Sequence, residues 1–200
     1  MNVVFDIGNV LIHWDPRALY RKIFTSETEV EWFIANVCTH DWNLEQDRGR
    51  SFEDAIAEAS ARHPGHADAI AAYHHRWAET ILGPIGGTVA ILEDLNARGT
   101  PLYAITNWHQ DKFRETQAHF PFLGLFRDIV VSGEERLIKP DPAIYRLLLD
   151  RNGLEAGDCL FIDDSPKNVA GAEAVGMKAH HFTSPEALRN HLAGLGLLRA

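Results

Sequence analysis

The chain opens on an apolar run, Val3-Val4-Phe5, interrupted by Asp6 and resumed in Ile7 and Val10-Leu11-Ile12. A short, nearly continuous apolar stretch of this kind predicts a parallel strand covered on both faces, here over residues 2–11. After Trp14-Asp15-Pro16 the pattern switches to apolar residues at helical spacing among Ala, Glu and Arg, and holds to about residue 82. Asp15 before Pro16 predicts a helix start, with the acid as N-cap and the proline in the first turn. Ser51 with Asp54 three residues later opens another helix, and His63-Pro64-Gly65 ends it. Beyond Gly83-Pro84 the pattern alternates. Helices are expected over 88–98, 110–119, 142–152 and 167–175, with a last one from Ser184-Pro185. Strands are expected over 101–106, 128–132, 159–163 and 179–182.

Strand alternating with helix predicts an α/β fold, a doubly wound (Rossmann-like) parallel sheet core with helices on both faces. The helical stretch then becomes an insertion after the first strand. Residues 1–14 and 84–200 would form the core, and residues 15–83 a helical cap domain.

Composition narrows the class without changing this picture. The 200 residues are 46% hydrophobic and 24% charged, which excludes a disordered chain, a collagen-like repeat and a disulfide-stapled miniprotein. With 19 basic against 28 acidic residues the formal charge is −9, so no nucleic-acid partner and no polybasic membrane anchor are expected. No apolar run approaches the roughly 18 residues of a membrane helix, and no basic leader precedes an apolar segment. Cys38 and Cys159 lack metal-ligand spacing and read as buried thiols of a reducing, cytoplasmic compartment. The paired histidines, among them His74-His75 and His180-His181, read as solvated surface.

The chemistry lies where polar residues break the apolar runs. In an open α/β sheet, ligands bind beyond the carboxyl ends of the strands. Asp6, Thr106-Asn107 and Asp163-Asp164 fall at those ends, and Lys139 follows the 128–132 strand. Any one of these acids alone reads as a helix cap. Together they place three carboxylates, one ammonium and one hydroxyl at one mouth, and carboxylates grouped this way need a cation. Mg²⁺, a hard dication with oxygen ligands, suits them.

Asp6-Ile7-Gly8-Asn9-Val10, Thr106-Asn107, Lys139-Pro140-Asp141 and Phe161-Ile162-Asp163-Asp164-Ser165-Pro166-Lys167-Asn168 resemble, in order and spacing, the four motifs of the haloacid dehalogenase (HAD-like) hydrolase superfamily. The likeness covers essentially the whole chain, and the insertion resembles that family's type 1 cap. The opening motif is most similar to a sugar-phosphatase branch that includes α-D-glucose-1-phosphate phosphatase. The resemblance implies a Mg²⁺-dependent phosphomonoester hydrolase acting through an aspartyl-phosphate. Asp6 would be the nucleophile. Mg²⁺ would be held by Asp6, the Gly8 carbonyl and Asp164, with Asp163 beside it. Lys139 would neutralise charge, and Thr106 and Asn107 would hold the transferred oxygens. The substrate would be a small phosphorylated metabolite such as a sugar phosphate, and the protein a monomer or weak homodimer.

One position departs from the pattern. Most phosphatases of the superfamily carry a second Asp two residues after the nucleophile as general acid and base, and this chain has Gly8. The acid then comes from the cap or from water, turnover is slow, or the leaving group needs little protonation. Gly8 also raises two alternatives: a 2-haloacid dehalogenase, whose reaction needs neither proton donor nor metal, and a non-catalytic binding protein on a degenerate frame. The Asp163-Asp164 pair suits a cation and favours the phosphatase. A signalling receiver domain has the wrong order and no cap. Trp108, Arg48 and Trp42, with His40, Asn43 and the Gln46-Asp47-Arg48-Gly49 stretch, are the candidates for substrate contact.

Overall fold

A computed structural model describes residues 1–199. Five parallel strands form one sheet in the order β5-β4-β1-β6-β7: β1 (Asn2–Phe5), β4 (Leu102–Thr106), β5 (Asp128–Val131), β6 (Cys159–Asp163) and β7 (Lys178–His181). The expected α/β class, a doubly wound parallel sheet, is what is found. Side chains alternate between two cores, as the strand period demands. Val3, Phe5, Ala104 and Ile162 face the helices Gly86–Ala97 and Pro185–Gly194, which contribute Leu92 and Leu188. Val4, Ile105 and Phe161 face the helices Pro142–Asn152 and Pro166–Ala174, which contribute Leu148 and Ala172. Burial of each such aliphatic or aromatic side chain contributes about 1.5–3 kcal/mol.

The first strand is shorter than its apolar run. β1 ends at Phe5; the chain turns through Asn9, which adopts a left-handed φ of 55°, and a second strand, β2 (Ile12–Trp14), follows. The turn is tied by Leu11 N–H to Ile7 O (2.9 Å) and by Trp14 N–H to the Asn9 side-chain oxygen (3.1 Å). β2 pairs antiparallel with β3 (Ile81–Pro84), so the Gly83-Pro84 boundary lies inside a two-stranded ribbon.

Between these two strands lie the helices Arg17–Tyr20, Glu27–Asn36, His40–Asp47, Phe52–Arg62 and Ala67–His75. Ser26, Thr39 and Ser51 cap three of them by accepting a backbone N–H three residues on. Tyr20, Phe33, Trp42 and Tyr73 form their aromatic centre, which runs without a break into the sheet's first core. Cys38 and Cys159 are buried free thiols. Not all histidines are solvated. His180 stacks on His191 at 4.3 Å, and both His180 and His74 are half-buried. No helix among the described residues is long and apolar enough to cross a membrane.

Candidate active site

β1 lies between β4 and β6, so the chain leaves it toward opposite sides of the sheet and opens a crevice at its carboxyl end. Asp6 is the residue after β1, and its N–H donates to Ile162 O at 2.8 Å, which fixes it against β6. Thr106 is the last residue of β4 and Asp163 the last of β6. Lys139 comes in from the loop after β5, on a cis Lys139-Pro140 peptide bond.

Lys139 is the hub. Its ammonium donates to Asp6 Oδ1 (2.8 Å), Asp163 Oδ2 (2.7 Å) and the carbonyl of Ile105 (3.0 Å), which commits all three protons. The two carboxylates hold it protonated: although burial works against the charge, its pKa lies above that of an ordinary lysine.

The acids divide by environment. Asp163 is fully buried and saturated, accepting from Lys139, from Ser165 N–H (2.8 Å) and from the Asn168 amide at 3.0 and 3.1 Å. Asp164 is exposed, and burial of part of its carboxyl together with the Asp163 charge raises its pKa. Asp6 accepts from Ile7 N–H at 2.7 Å. Burial pushes its pKa up to about 8, with Asp163 and Asp164 adding to the effect and Lys139 opposing it. One oxygen from each of Asp6, Asp163 and Asp164 lies within 4.8 Å of the others. Three carboxylates face one ammonium, and the unspent oxygens are those of Asp6 and Asp164.

A cavity of about 440 Å³ opens above these residues, between the sheet and the helical segment. Asp6, Gly8, Thr106, Asn107, Lys139 and Asp164 line its floor. Asn107 is turned to the loop, however. It donates to Lys139 O (3.1 Å) and accepts from Lys139 N–H (2.9 Å), and so holds the lysine's backbone in place. Asn168 pairs with Asp163 and not with Asp164. Overhead lie Trp14, Trp77 and Trp108, with Trp14 and Trp77 stacked at 6.3 Å and Trp77 edge-on to Trp108 at 6.3 Å. His40, Asn43, Asp47 and Arg48 complete the wall, Arg48 being exposed and paired with Glu45 at 3.3 Å. Trp42 is not on it. It is buried against Tyr73 at 5.3 Å and donates its indole N–H to Ala55 O at 3.4 Å. Trp77 and Ser132 were not legible as site residues, since one sits in a helical run and the other ends an apolar strand.

Ser132 docks the helical segment on the sheet. Its hydroxyl donates to Asp47 O (2.6 Å) and accepts from Trp108 N–H (2.8 Å). The approach is close. Gly49, at φ 93°, lies where a Cβ would be 2.9 Å from Gly133 O. Asp47 is buried at this contact, with Asn43 donating to Oδ2 at 3.1 Å. Burial raises its pKa to about 7, against the opposing effects of the His109 N–H and of Lys139. An unfolded chain's aspartate releases its proton near pH ~3.9. Between those values the folded state binds more protons, so this group's contribution to stability falls as pH rises. Asp47→Asn is therefore expected to raise the melting temperature at pH 8 and to change it much less at pH 5. Equal shifts at both pH values would mean that Asp47 is ionised throughout.

The haloacid dehalogenase-like hydrolase family model matches residues 3–181, and the chain belongs to that family. It is 26% identical over 180 residues to the sesquiterpene phosphatase astK of Aspergillus oryzae, covering 90% of this chain and 88% of that one. Other curated relatives are longer, the chain spanning 63% of one and 38% of another. Among solved structures, a HAD family enzyme of Bacteroides thetaiotaomicron in complex with magnesium and inorganic phosphate superposes with a TM-score of 0.67. It is 20% identical and covers 92% of this chain and 94% of that one. The L-2-haloacid dehalogenase of Xanthobacter autotrophicus superposes at 0.64, with 18% identity and coverage of 98% and 84%.

Proposed function

We propose that the protein is a Mg²⁺-dependent phosphomonoester hydrolase in which Asp6 is phosphorylated and the aspartyl-phosphate is then hydrolysed. The observation that carries this is the charge balance of the floor: three carboxylates against one fully committed ammonium, with free oxygens only on Asp6 and Asp164. Such a set, with one oxygen of each acid within 4.8 Å of the others, fits a hard dication. Asp6, the Gly8 carbonyl and Asp164 would hold Mg²⁺, which supplies positive charge for the phosphoryl oxygens.

The chain's own residues do the rest. Asp6 attacks phosphorus, and Lys139 favours its ionised form against burial and orients it through a 2.8 Å contact. Thr106, buried at the end of β4, faces the transferred oxygens from the cavity floor. Asp163, held from three sides, anchors the lysine, and Asn107 fixes the loop that carries it. The indole wall of Trp14, Trp77 and Trp108 beside His40, Asn43 and Arg48 suits a ring with hydroxyl groups. A hexose 1-phosphate, whose hemiacetal oxygen leaves more readily than an alkoxide, is the substrate class we assign. The relative whose name states sesquiterpene phosphatase activity supports the reaction type. Metal-free dehalogenation leaves Asp164 without a task.

The test is a panel of phosphate esters and 2-haloacids assayed with Mg²⁺ and with EDTA. Hydrolysis of phosphate esters with Mg²⁺, best for hexose 1-phosphates and lost on chelation, is expected. Turnover of 2-chloropropionate, or phosphatase activity that survives EDTA, overturns the reading.

A further inference from the structure

A phosphatase of this kind needs a proton for the departing ester oxygen, and the position two residues after Asp6 offers none. Space is not the reason. A Cβ on Gly8 would meet nothing within 4 Å, so the acid is missing without a neighbour filling its place. The cavity holds one other carboxyl that is both buried and free of an ion pair among the described residues. Asp6 pairs with Lys139; Asp164 is exposed and belongs to the cation set; Asp41 is exposed at the rim. The remaining one is Asp47, at the C-terminal end of the His40–Asp47 helix, on the wall facing the floor.

We infer that Asp47 hands a proton to the departing ester oxygen, taking over from the helical segment the task that position 8 lacks. The inference rests on the phosphatase reading above. Its support is geometric. Asp47 is anchored on both of its sides: its backbone carbonyl accepts from Ser132, and Asn43, itself fixed by the Tyr73 hydroxyl, donates to one carboxyl oxygen. Asn43 engages Oδ2 only, and Asp47 is among the residues that line the cavity. The groups facing the carboxyl are Tyr73, the His109 N–H and Lys139. Burial there raises its pKa to about 7, so that near neutral pH the acid is held ready and its conjugate base is still weak enough to form.

The step balances as follows. Asp6 Oδ forms a bond to phosphorus while the bond from phosphorus to the ester oxygen breaks, and the Asp47 proton passes to that oxygen. Alcohol, aspartyl-phosphate and the Asp47 carboxylate result. Water then attacks the phosphorus, the bond to Asp6 breaks, and the water's proton returns to Asp47. Phosphate is released with both residues restored.

The experiment reads kcat/KM, which reports the steps up to departure of the leaving group, for phenyl phosphate and p-nitrophenyl phosphate. These esters differ chiefly in how much their leaving oxygen needs a proton. Asp47→Asn is expected to lower kcat/KM by roughly 10²–10⁴-fold for phenyl phosphate and by no more than about threefold for p-nitrophenyl phosphate. Gly8→Asp added to Asp47→Asn is expected to restore phenyl phosphate to within about tenfold of the starting enzyme. An equal fall for both esters makes Asp47 a positioning residue only and overturns the inference. So does a gain of about 10²-fold from Gly8→Asp alone, because the acid would then be absent from the unaltered enzyme. Failure of the unaltered enzyme to cleave any ester overturns the phosphatase reading and this inference together.

Discussion

Asp6→Asn is expected to abolish phosphate ester turnover, by at least roughly 10⁴-fold in kcat, with the fold intact. The amide keeps an oxygen to accept from Ile7 N–H and from Lys139, so the two short contacts of 2.7 and 2.8 Å survive. What disappears is the anionic nucleophile. It also takes with it a charge crowded by Asp163 and Asp164, whose repulsion helps push the Asp6 pKa up to about 8. Lys139 keeps Asp163 as its counter-charge, and the net upward shift of the Asp6 pKa marks its ionised form as a burden on the fold, so the melting temperature in metal-free buffer should hold or rise. Steady-state kinetics beside a thermal melt check both parts. Residual kcat within tenfold of the unaltered enzyme, with the fold retained, would remove Asp6 from the reaction.

Lys139→Met is expected to damage stability and activity together. The side chain is almost completely buried, and its loss strands Asp6 and Asp163 without their shared cation. Removing one partner of a buried ion network costs about 3–5 kcal/mol. In a chain of this size each kcal/mol shifts the melting temperature by roughly 2–4 °C, so a fall of roughly 6–20 °C is expected. The deficit should grow with rising pH, since the stranded carboxylates can take up protons only on the acid side. Loss of charge neutralisation at phosphorus should lower kcat by roughly 10²–10³-fold, a scale set by removal of a single stabilising donor. An unchanged melting temperature would show that the carboxylates find another cation or a proton.

The elements that could be read from sequence are those with punctuation. Helix Pro142–Asn152 carries Asp141 as cap, Pro142 at its first turn and Gly153 with φ 60° past its end, and its bounds match the reading. Strand Cys159–Asp163 is an apolar run closed by acids, and it too matches. The β2–β3 ribbon was invisible because its strands are three and four residues long and β2 follows β1 through a turn at left-handed Asn9, so the run from Val3 read as one strand. At the site, charge patterning told which residues converge but not how their hydrogen bonds divide. Asn107 reads as a partner of the phosphoryl group, and Asn168 only as the end of the fourth motif. In three dimensions each is absorbed by the neighbour that needs fixing, Lys139 and Asp163. Aromatic residues misled in both directions for one reason: a tryptophan in a helical run is apolar whether it faces the core, as Trp42 does, or a cavity, as Trp77 does.

The pairing of Ile12–Trp14 with Ile81–Pro84 brings the two ends of the intervening helices side by side. A loop whose feet are already clasped can lengthen or change its contents without altering the loop-closure entropy felt by the parallel strands. The carboxylates of the floor come from the strands' carboxyl ends, and much of the wall above them, His40, Asn43, Asp47, Arg48 and Trp77, from the clasped stretch. A lineage built on this plan can therefore trade one wall for another, and with it the molecule admitted, while the reacting groups stay where they are.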